Sequence, residues 1–559
     1  MLNNSLWKIV FYSVLILCAS FPLRAQPSYL DWFMQAGGRS NEIARDVCVD
    51  NFGSIYFISE VTDTTVFPDT TFVANFSDVC LVKLNPAGEI VWIRLMGGDG
   101  LDRGLDIKTD NNDDIIVTGF FSGSALFGDT TLISSGFTDV FIAKYNPNGV
   151  LQWVVHGSGA DHDEGLCIAI DDLNDIYIGG YFENDLQIGT YTLLSTGSYE
   201  TLFYAKISSA GTVEWAKQAT NLDYSESFVE SISFDGLDIV LTGSFDDTMI
   251  FDGDTLYSYD GSIDVIIAKI DITGNKVWIK QAGGNYDDGG SAIICDDYGK
   301  IFLAGYFAHT ANFGTFQFTS TDNNSDVFIS GLDGNGNFIW AEQGSGTGYD
   351  YPTSISYNLT NGISVCGITT ENFNIGGSTF IGNATDDIFI ANYSSTGTLK
   401  NVLYTGGLGE ERIYDVYLDD NNSGFIVGSF SGSMSIDGTV IPAQNILADL
   451  FIAKLYFDNL TNIIEDTKHS SLNKFVLLQN YPNPFNPSTT INWEMPQAGL
   501  VSIKIYDVLG REVITLVNEE LNAGKHETVF EAANFSSGVY IYRINTGDFI
   551  QTKKMILIE

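Results

Sequence analysis

The stretch that decides the fold runs Asp139-Val140-Phe141-Ile142-Ala143-Lys144-Tyr145-Asn146-Pro147-Asn148-Gly149-Val150-Leu151-Gln152-Trp153. Two runs of β-branched, aromatic and aliphatic residues flank an Asn-Pro-Asn-Gly tetrad, and a turn of that composition joins antiparallel neighbours into a hairpin. The tryptophan strand recurs: Trp32, Trp92, Trp153, Trp215, Trp278 and Trp340 lie 60, 61, 62, 63 and 62 residues apart, and a seventh unit continues the series at Asn401. A period this regular is the signature of a repeat architecture.

The same parts recur in the same order within each period. After the tryptophan strand (151–155) come a Gly-rich segment, a strand (165–170), a turn (171–175), a strand (176–182), a short hairpin-like excursion and a strand of the 139–144 type. Four main strands per period, seven times over, predict an all-β chain with a seven-bladed β-propeller across residues 26–457. Because the Asn-Pro-Asn-Gly turn keeps its two strands in one sheet, the Gly-rich segment must cross to the next blade. In this phasing the seventh blade, about 411–456, lacks an outer strand, and the strand at 30–34 is expected to fill the gap and close the ring. The units resemble the SBBP-type seven-bladed propeller repeats of bacterial surface and secreted proteins, a resemblance that implies fold far more than activity.

Composition agrees with strands and turns: 57 Gly, 13% aromatic residues and 17% charged residues in 559. Seventy acidic against 26 basic side chains give a net charge of -44, which excludes a phosphate-binding surface and therefore nucleic acid. Residues 1–25 have the layout of a secretory signal peptide, with Lys8 ahead of an apolar run and a cleavage site after Ala25. No later stretch is long and apolar enough to span a bilayer as a helix. Cys48, Cys80, Cys167, Cys295 and Cys366 form no CxxC pair and sit in apolar runs, so they read as small buried hydrophobes.

The repeat breaks after Leu460, and residues 458–474 read as a polar linker. From 475 to 559 the chain carries nine acids and six Lys or Arg, so nearly all of the negative charge lies ahead of it. Alternation and turn spacing there predict a small antiparallel, immunoglobulin-like β-sandwich. This region contains Asn480-Tyr481-Pro482-Asn483-Pro484-Phe485-Asn486-Pro487, then Ile503-Lys504-Ile505-Tyr506-Asp507-Val508-Leu509-Gly510-Arg511, then Gly538-Val539-Tyr540-Ile541-Tyr542-Arg543 and Lys553-Lys554-Met555-Ile556-Leu557. In that order the four motifs closely resemble the type A C-terminal sorting domain of the type IX secretion system. The resemblance implies passage through the periplasm and export across the outer membrane of a Bacteroidetes-like bacterium, to the cell surface or the medium. It places recognition by the type IX machinery on Pro482, Asn483, Pro484, Gly510, Gly538, Tyr540, Lys553 and Lys554.

Ten residues after each repeat's reference position stand Glu42, Asp102, Asp163, Ser225, Asp288, Asp350 and Glu411. Six acids in seven places suggest either a cation-binding ring, calcium being suited to hard oxygen ligands, or one carboxylate capping the amides of each crossing loop. Recurrence in every blade favours the second. Eight residues further on, Asp50, Asp110, Asp171, Ser233, Asp296, Asn358 and Asp419 fit Asx-type turns.

Function is sought where the symmetry breaks. The crossing loops of blades 4 to 6 carry Tyr224, Tyr286, Tyr349 and Tyr351 beside Asp287, flat faces next to carboxylates that suit a sugar ring or a peptide. His156 and His162 near Asp163 raise a metal or proton-shuttle alternative. No GxSxG, HExxH or P-loop motif is present. The segment 271–278 resembles the repeat motif of quinoprotein dehydrogenases, but in one blade only, so no cofactor is firmly implied. The sequence therefore points to a non-enzymatic binding, adhesion or surface-layer module for a glycan or protein. An extracellular polysaccharide hydrolase or lyase is the alternative.

Overall fold

A computed structural model describes residues 29–457 and 476–558, except positions 69, 197–198, 223–224, 297, 383–384, 407–408, 420–422, 445–446, 478–479, 481–482, 484, 496–497, 509, 523 and 547–549. The signal segment 1–25, the linker 458–474, Tyr224, Pro482 and Pro484 lie outside the described residues. The chain divides into two compact units, Met1–Ile464 and Glu465–Glu559.

Among the described residues, the first unit consists of four-stranded antiparallel groups in chain order. The first holds Ile43–Val49, Ile55–Phe67, Thr70–Leu84 and Ile90–Gly98. The second holds Arg103–Thr109, Ile115–Phe121, Asp139–Tyr145 and Leu151–Ser158. The third to sixth repeat this plan from inner strands Asp163–Ile170, Ser227–Phe234, Asp288–Cys295 and Asp350–Asn358. The seventh takes three strands from Glu411–Leu418, Ser423–Phe430 and Asp449–Tyr456, and its fourth is Leu30–Gly38. There Trp32 pairs with Lys454, Met34 with Ile452 and Ala36 with Leu450. Each inner strand packs against the inner strands before and after it, and that of group seven returns to that of group one. The result is a closed, propeller-like ring.

Burial follows position in the sheet. The second and third strands are almost wholly buried, Ile115–Phe121 and Asp139–Tyr145 at every residue, which is why they read as continuous apolar runs. The outer strand Leu151–Ser158 is mostly half-buried. Every inner strand carries a register shift with one extra residue: Arg45, Leu105, Leu166, Glu230, Ser291, Thr353 or Tyr414. These bulges turn all seven side chains toward a central channel of about 1060 Å³.

The excursions between second and third strands are two-stranded hairpins that lash neighbouring groups together. In groups two, three and five they pair with the end of the previous group's outer strand, as in Gly97 with Leu126, Gly157 with Ile188 and Gly283 with Asn312, whereas the hairpin of group seven, Ser433–Ile436 with Thr439–Pro442, forms a two-stranded sheet of its own. The tryptophans explain their period in the same way. Trp92, Trp153, Trp215 and Trp278 each donate Nε1–H, at 3.1–3.2 Å, to a carbonyl in the next group's outer turn. The turn's glycine lies on the indole face. Gly211, at φ 84°, has no room for a Cβ over Trp153. At the seventh position the Asn401 amide takes over, donating to Phe457 O at 3.3 Å.

In the second unit, Val476–Leu477, Ser488–Met495 and Gly524–Glu531 form one antiparallel sheet, and Glu512–Leu521, Gly499–Tyr506, Gly538–Asn545 and Ile550–Leu557 form another. They share a core that includes Phe485, Trp493, Ile503, Tyr542 and Met555.

Candidate functional site

The seven recurring positions of the crossing loops are buried in the junctions between groups. Glu42, Asp102, Asp163, Asp288, Asp350 and Glu411 are 0% exposed and Ser225 is 2% exposed. None of them lines the channel. Asp102 accepts the amides of Gly98 at 2.8 Å and Ser122 at 3.2 Å, and Asp288 those of Gly284 at 2.5 Å and Ala308 at 3.1 Å. Glu42 accepts Thr65 Oγ1–H at 3.2 Å.

The periodicity of the first set hides a second set. The third strand supplies Asp139, Asp264, Asp387 and Asp449 as its first residue, Asp326 as its second and Asp78 from the middle of the long strand Thr70–Leu84, all buried. Asp78 faces Asp102, Asp139 faces Asp163, Asp264 faces Asp288, Asp326 faces Asp350 and Asp449 faces Glu42. Burial first, then repulsion from the partner and neighbouring acids, drives these carboxyls upward: Asp102 to about 7, Glu42 and Asp288 to about 8, Asp163 and Asp350 to about 9. Burial alone raises Asp78 and Asp264, to about 6 and about 7, against hydrogen bonds that lower them. A glycine fills the space between the two members. At Gly97, φ 143°, a Cβ would collide with both Asp78 Oδ1 and Asp102 Oδ2, and Gly283 stands likewise between Asp264 and Asp288. The junction between groups three and four has Thr201 and Ser227 instead: Ser227, not Ser225, pairs with Phe245 as Asp288 pairs with Phe307, and its Oγ accepts the Leu202 amide at 3.0 Å and donates to Asn221 Oδ1 at 2.9 Å.

Among the described residues, no group of three or more His, Cys, Asp or Glu side chains is placed to hold a metal ion. The histidines go elsewhere. His156 Nε2 lies 2.6 Å from Asp139 Oδ2, while His162 Nδ1 lies 3.1 Å from Thr138 Oγ1 and its ring stacks on Phe137. Cys48, Cys80, Cys167 and Cys366 are buried and Cys295 is half-buried, all as free thiols.

The turn positions hold Asx-type caps with one correction. Asp110 Oδ1 accepts the amides of Asn112 and Asp114, and Asp171 those of Leu173 and Asp175. In group four Ser233 does not cap its turn. Its Oγ accepts the Cys295 amide at 3.0 Å across to group five, and Asp235 caps instead, through Leu237 and Asp238. Two extra residues in the crossing loop ahead of Ser227–Phe234, a strand of the same eight residues as Asp163–Ile170, displace the turn from the position that the repeat count predicts.

The channel wall divides by chemistry. In groups one and two, Arg45 on the wall and Arg103 behind it both grip Glu60, at 3.0 and 2.9 Å, and hold its carboxyl low against the effect of burial. Lys108 lies 2.6 Å from Asp106 and 3.3 Å from Asp46. These two carboxylates accept amides of the next inner strand, Ile107 by Asp46 and Ile168 by Asp106, both at 2.7 Å, so they join neighbouring groups. On the opposite side Glu230 projects into the channel; burial and then Glu164 push it up to about 7.

Beyond Glu230 stands an aromatic surface. Tyr351 meets Tyr306 edge-on at 5.1 Å, and Tyr349 lies parallel to Tyr351 at 6.3 Å and 3°. Tyr349 and Tyr351 are 52% and 37% exposed. Tyr286 is not part of this ladder but stacks on His309 at 3.6 Å, and Asp287 accepts the Ile263 amide at 3.3 Å. Tyr306 and His309 were not singled out by the sequence. Tyr306 does occupy the same place in its strand as Tyr181, in Ala304-Gly305-Tyr306-Phe307 against Gly179-Gly180-Tyr181-Phe182.

In the second unit the described members of the sorting motif are divided between turns or strand ends (Asn483, Gly510, Gly538) and strands (Tyr540, Lys553, Lys554). Asn483 accepts the Ile556 amide at 2.8 Å, tying its segment to the last strand, where Lys553 and Lys554 pair with Tyr542 and Ile541. Gly510, φ 77°, closes a turn on Asp507, and Tyr540 Oη donates to Ser536 O at 2.8 Å. Gly538 opens the strand that contains Tyr540.

Comparison with known proteins bears on both units. The chain is similar over 417 residues, 60% of its length and 30% of the relative's, to a WD repeat-containing protein of Acanthamoeba polyphaga mimivirus, at 22% identity. It is similar over 148 residues, 25% of its length and 15% of the relative's, to the regulatory protein FlaEY of Caulobacter vibrioides, at 28% identity. The chain thus spans less than a third of the length of the curated relatives it matches. A solved structure of PorZ, a surface component of the type-IX secretion system of Porphyromonas gingivalis, aligns over 93% of this chain and 99% of that one at 11% identity and a TM-score of 0.16. No helix among the described residues is long and apolar enough to cross a membrane. Residues 479–559 match the family described as the secretion system C-terminal sorting domain, and this tail marks the chain for export to the cell surface or the medium.

Proposed function

We propose that the chain is an exported seven-bladed β-propeller of SBBP-type repeats, followed by a small immunoglobulin-like sandwich that engages the type IX machinery, and that the ring is a non-enzymatic binding or adhesion module. The observation that carries this reading is the exposed Tyr349–Tyr351 pair backed by Tyr306, with Glu230 and Asp287 among the charged groups around Tyr306. Flat aromatic faces beside carboxylates stack on sugar rings and accept hydrogen bonds from hydroxyls. A glycan is therefore the first ligand class and a protein segment the second. The competing reading, a polysaccharide hydrolase or lyase, would draw on Asp46, Asp106 and Lys108 in the channel. Their engagement with backbone amides of neighbouring strands favours an architectural role.

The test is retention of the exported chain on insoluble polysaccharides and cell-wall material, beside a Tyr349→Ala/Tyr351→Ala variant. Retention that the variant loses supports a lectin-like surface. Equal retention by both, or none on any glycan, turns the assignment to a protein partner. Turnover of a polysaccharide, abolished by Asp106→Asn without loss of fold, would replace binding with catalysis.

A further inference from the structure

The loop that presents the two tyrosines has all four of its leading amides engaged. Gly346 N–H donates to Asp326 Oδ1 at 3.2 Å, Thr347 to Asn372 O at 3.0 Å, Gly348 to Asp322 Oδ2 at 2.8 Å and Tyr349 to Thr370 Oγ1 at 2.7 Å. Nothing is left for Asp350. Its side chain is 0% exposed and, among the described residues, neither carboxyl oxygen has a hydrogen-bond partner. Asp102 and Asp288, at the same place in other junctions, each accept two amides.

The groups facing Asp350 make a charge there worse. Asp326 comes from the third strand of group five, Asp322 from the loop before it, Glu371 from the loop after the second strand of group six, and the Tyr404 phenol from that group's outer strand. No cation is among them. A carboxylate with no donor, no counter-ion and three acidic neighbours is untenable away from water, whereas a carboxylic acid is a neutral donor that packs as a polar residue. We propose that neutral Asp350 is a proton-held clasp for the Tyr349–Tyr351 loop, and that its ionisation in alkaline solution releases the loop and disassembles the stacked tyrosine surface. Ligand control by this clasp rests on the tyrosine surface being the contact; the clasp itself does not. The rise of Asp350 to about 9, caused by burial and then by Asp326, sets where release is complete: opening grows by about tenfold per pH unit up to that value and levels off above it.

Hydrogen exchange on the full chain, corrected for intrinsic rates, tests the clasp without a ligand. In the wild type the opening of residues 344–352 should increase about tenfold or more between about pH 7 and about pH 10, relative to the core strand 139–145. In Asp350→Asn, which keeps the shape without the ionisation, it should stay flat. A flat wild type, or a variant that follows the wild type, overturns the clasp. So does loss of protection at about pH 7 on adding a chelator, since a bound cation would then be holding the loop. Glycan retention read in parallel separates the two readings. A loop that opens as stated with no retention at any pH defeats the tyrosine-surface reading alone. Retention lost at alkaline pH while the loop stays protected defeats the clasp alone.

Discussion

Replacing Asp264 by Thr and Asp288 by Ser copies into the junction of groups four and five the hydroxyl arrangement found between groups three and four. In the wild type, burial holds Asp264 up to about 7 and, with Asp264 as one neighbour, Asp288 up to about 8, against an unfolded value near 3.8. From about pH 5 to about pH 7 the folded junction therefore keeps at least one proton that the unfolded chain has released, and the stability slope per proton is about -1.4 kcal/mol per pH unit. The sign is negative because the folded state binds more protons: the contribution is complete below the unfolded value and is lost as pH rises through the folded one. Across that interval the wild type should lose about 3 kcal/mol that the double variant does not. The lost amide acceptors give the variant a constant offset, so only the pH dependence of the difference counts. For a ring of roughly 430 residues the unfolding entropy is about 0.9 kcal/mol/K, so the gap between the two melting temperatures should change by about 3 °C. Calorimetry of both chains across this pH range measures it. Parallel curves would show that the junction carries no excess proton and would refute the paired-acid argument.

Three further outcomes are expected. A chain that begins at residue 40 should lose the single cooperative transition of the ring in urea, because the strand Asp449–Tyr456 loses its partner; an unchanged midpoint and slope would separate ring closure from stability. Calcium or a chelator should leave the wild-type melting temperature unchanged, since glycine fills the space between Asp78 and Asp102; a shift of several degrees would assign the junctions to cations. Lys108→Met should destabilise by about 1 kcal/mol at neutral pH by removing the partly exposed cation beside Asp46 and Asp106, and partly recover in acid where these carboxyls are protonated; equal loss at both pH values would point to packing alone.

The repeat was legible because its markers are local. The turn glycine and the tryptophan that follows it lie a few residues apart in one hairpin, and each turn glycine meets the tryptophan of the preceding group, six times over. The crossing-loop acids were legible as positions but not as a chemical unit, because Asp102 meets Asp78 from 24 residues earlier in the chain and only the fold brings them together. Asp139 stands in plain view at the head of its strand, yet nothing in Asp139-Val140-Phe141 says that its carboxyl is buried against another acid. The tyrosine loops were visible as breaks in symmetry. The ladder was not, since Tyr306 reaches Tyr351 from a neighbouring group, and Tyr286 stacks instead on His309. The exchange of Ser233 for Asp235 shows how two extra residues in a crossing loop defeat a count that holds elsewhere.

The seventh group also sets an order of events. Gln35 and Asp449 touch across 414 residues of chain, so the last sheet cannot be completed until the final strand of the ring is available. Until then two strand edges stand open at once, one at each end of an incomplete arc, and both can template pairing with other chains. Loop closure over such a span is slow compared with forming any single group, whose contacts are local. A chain that must leave the cell gains from this delay. The arc can form group by group while the molecule remains unlocked, and the lock is set only by an encounter between its most distant parts.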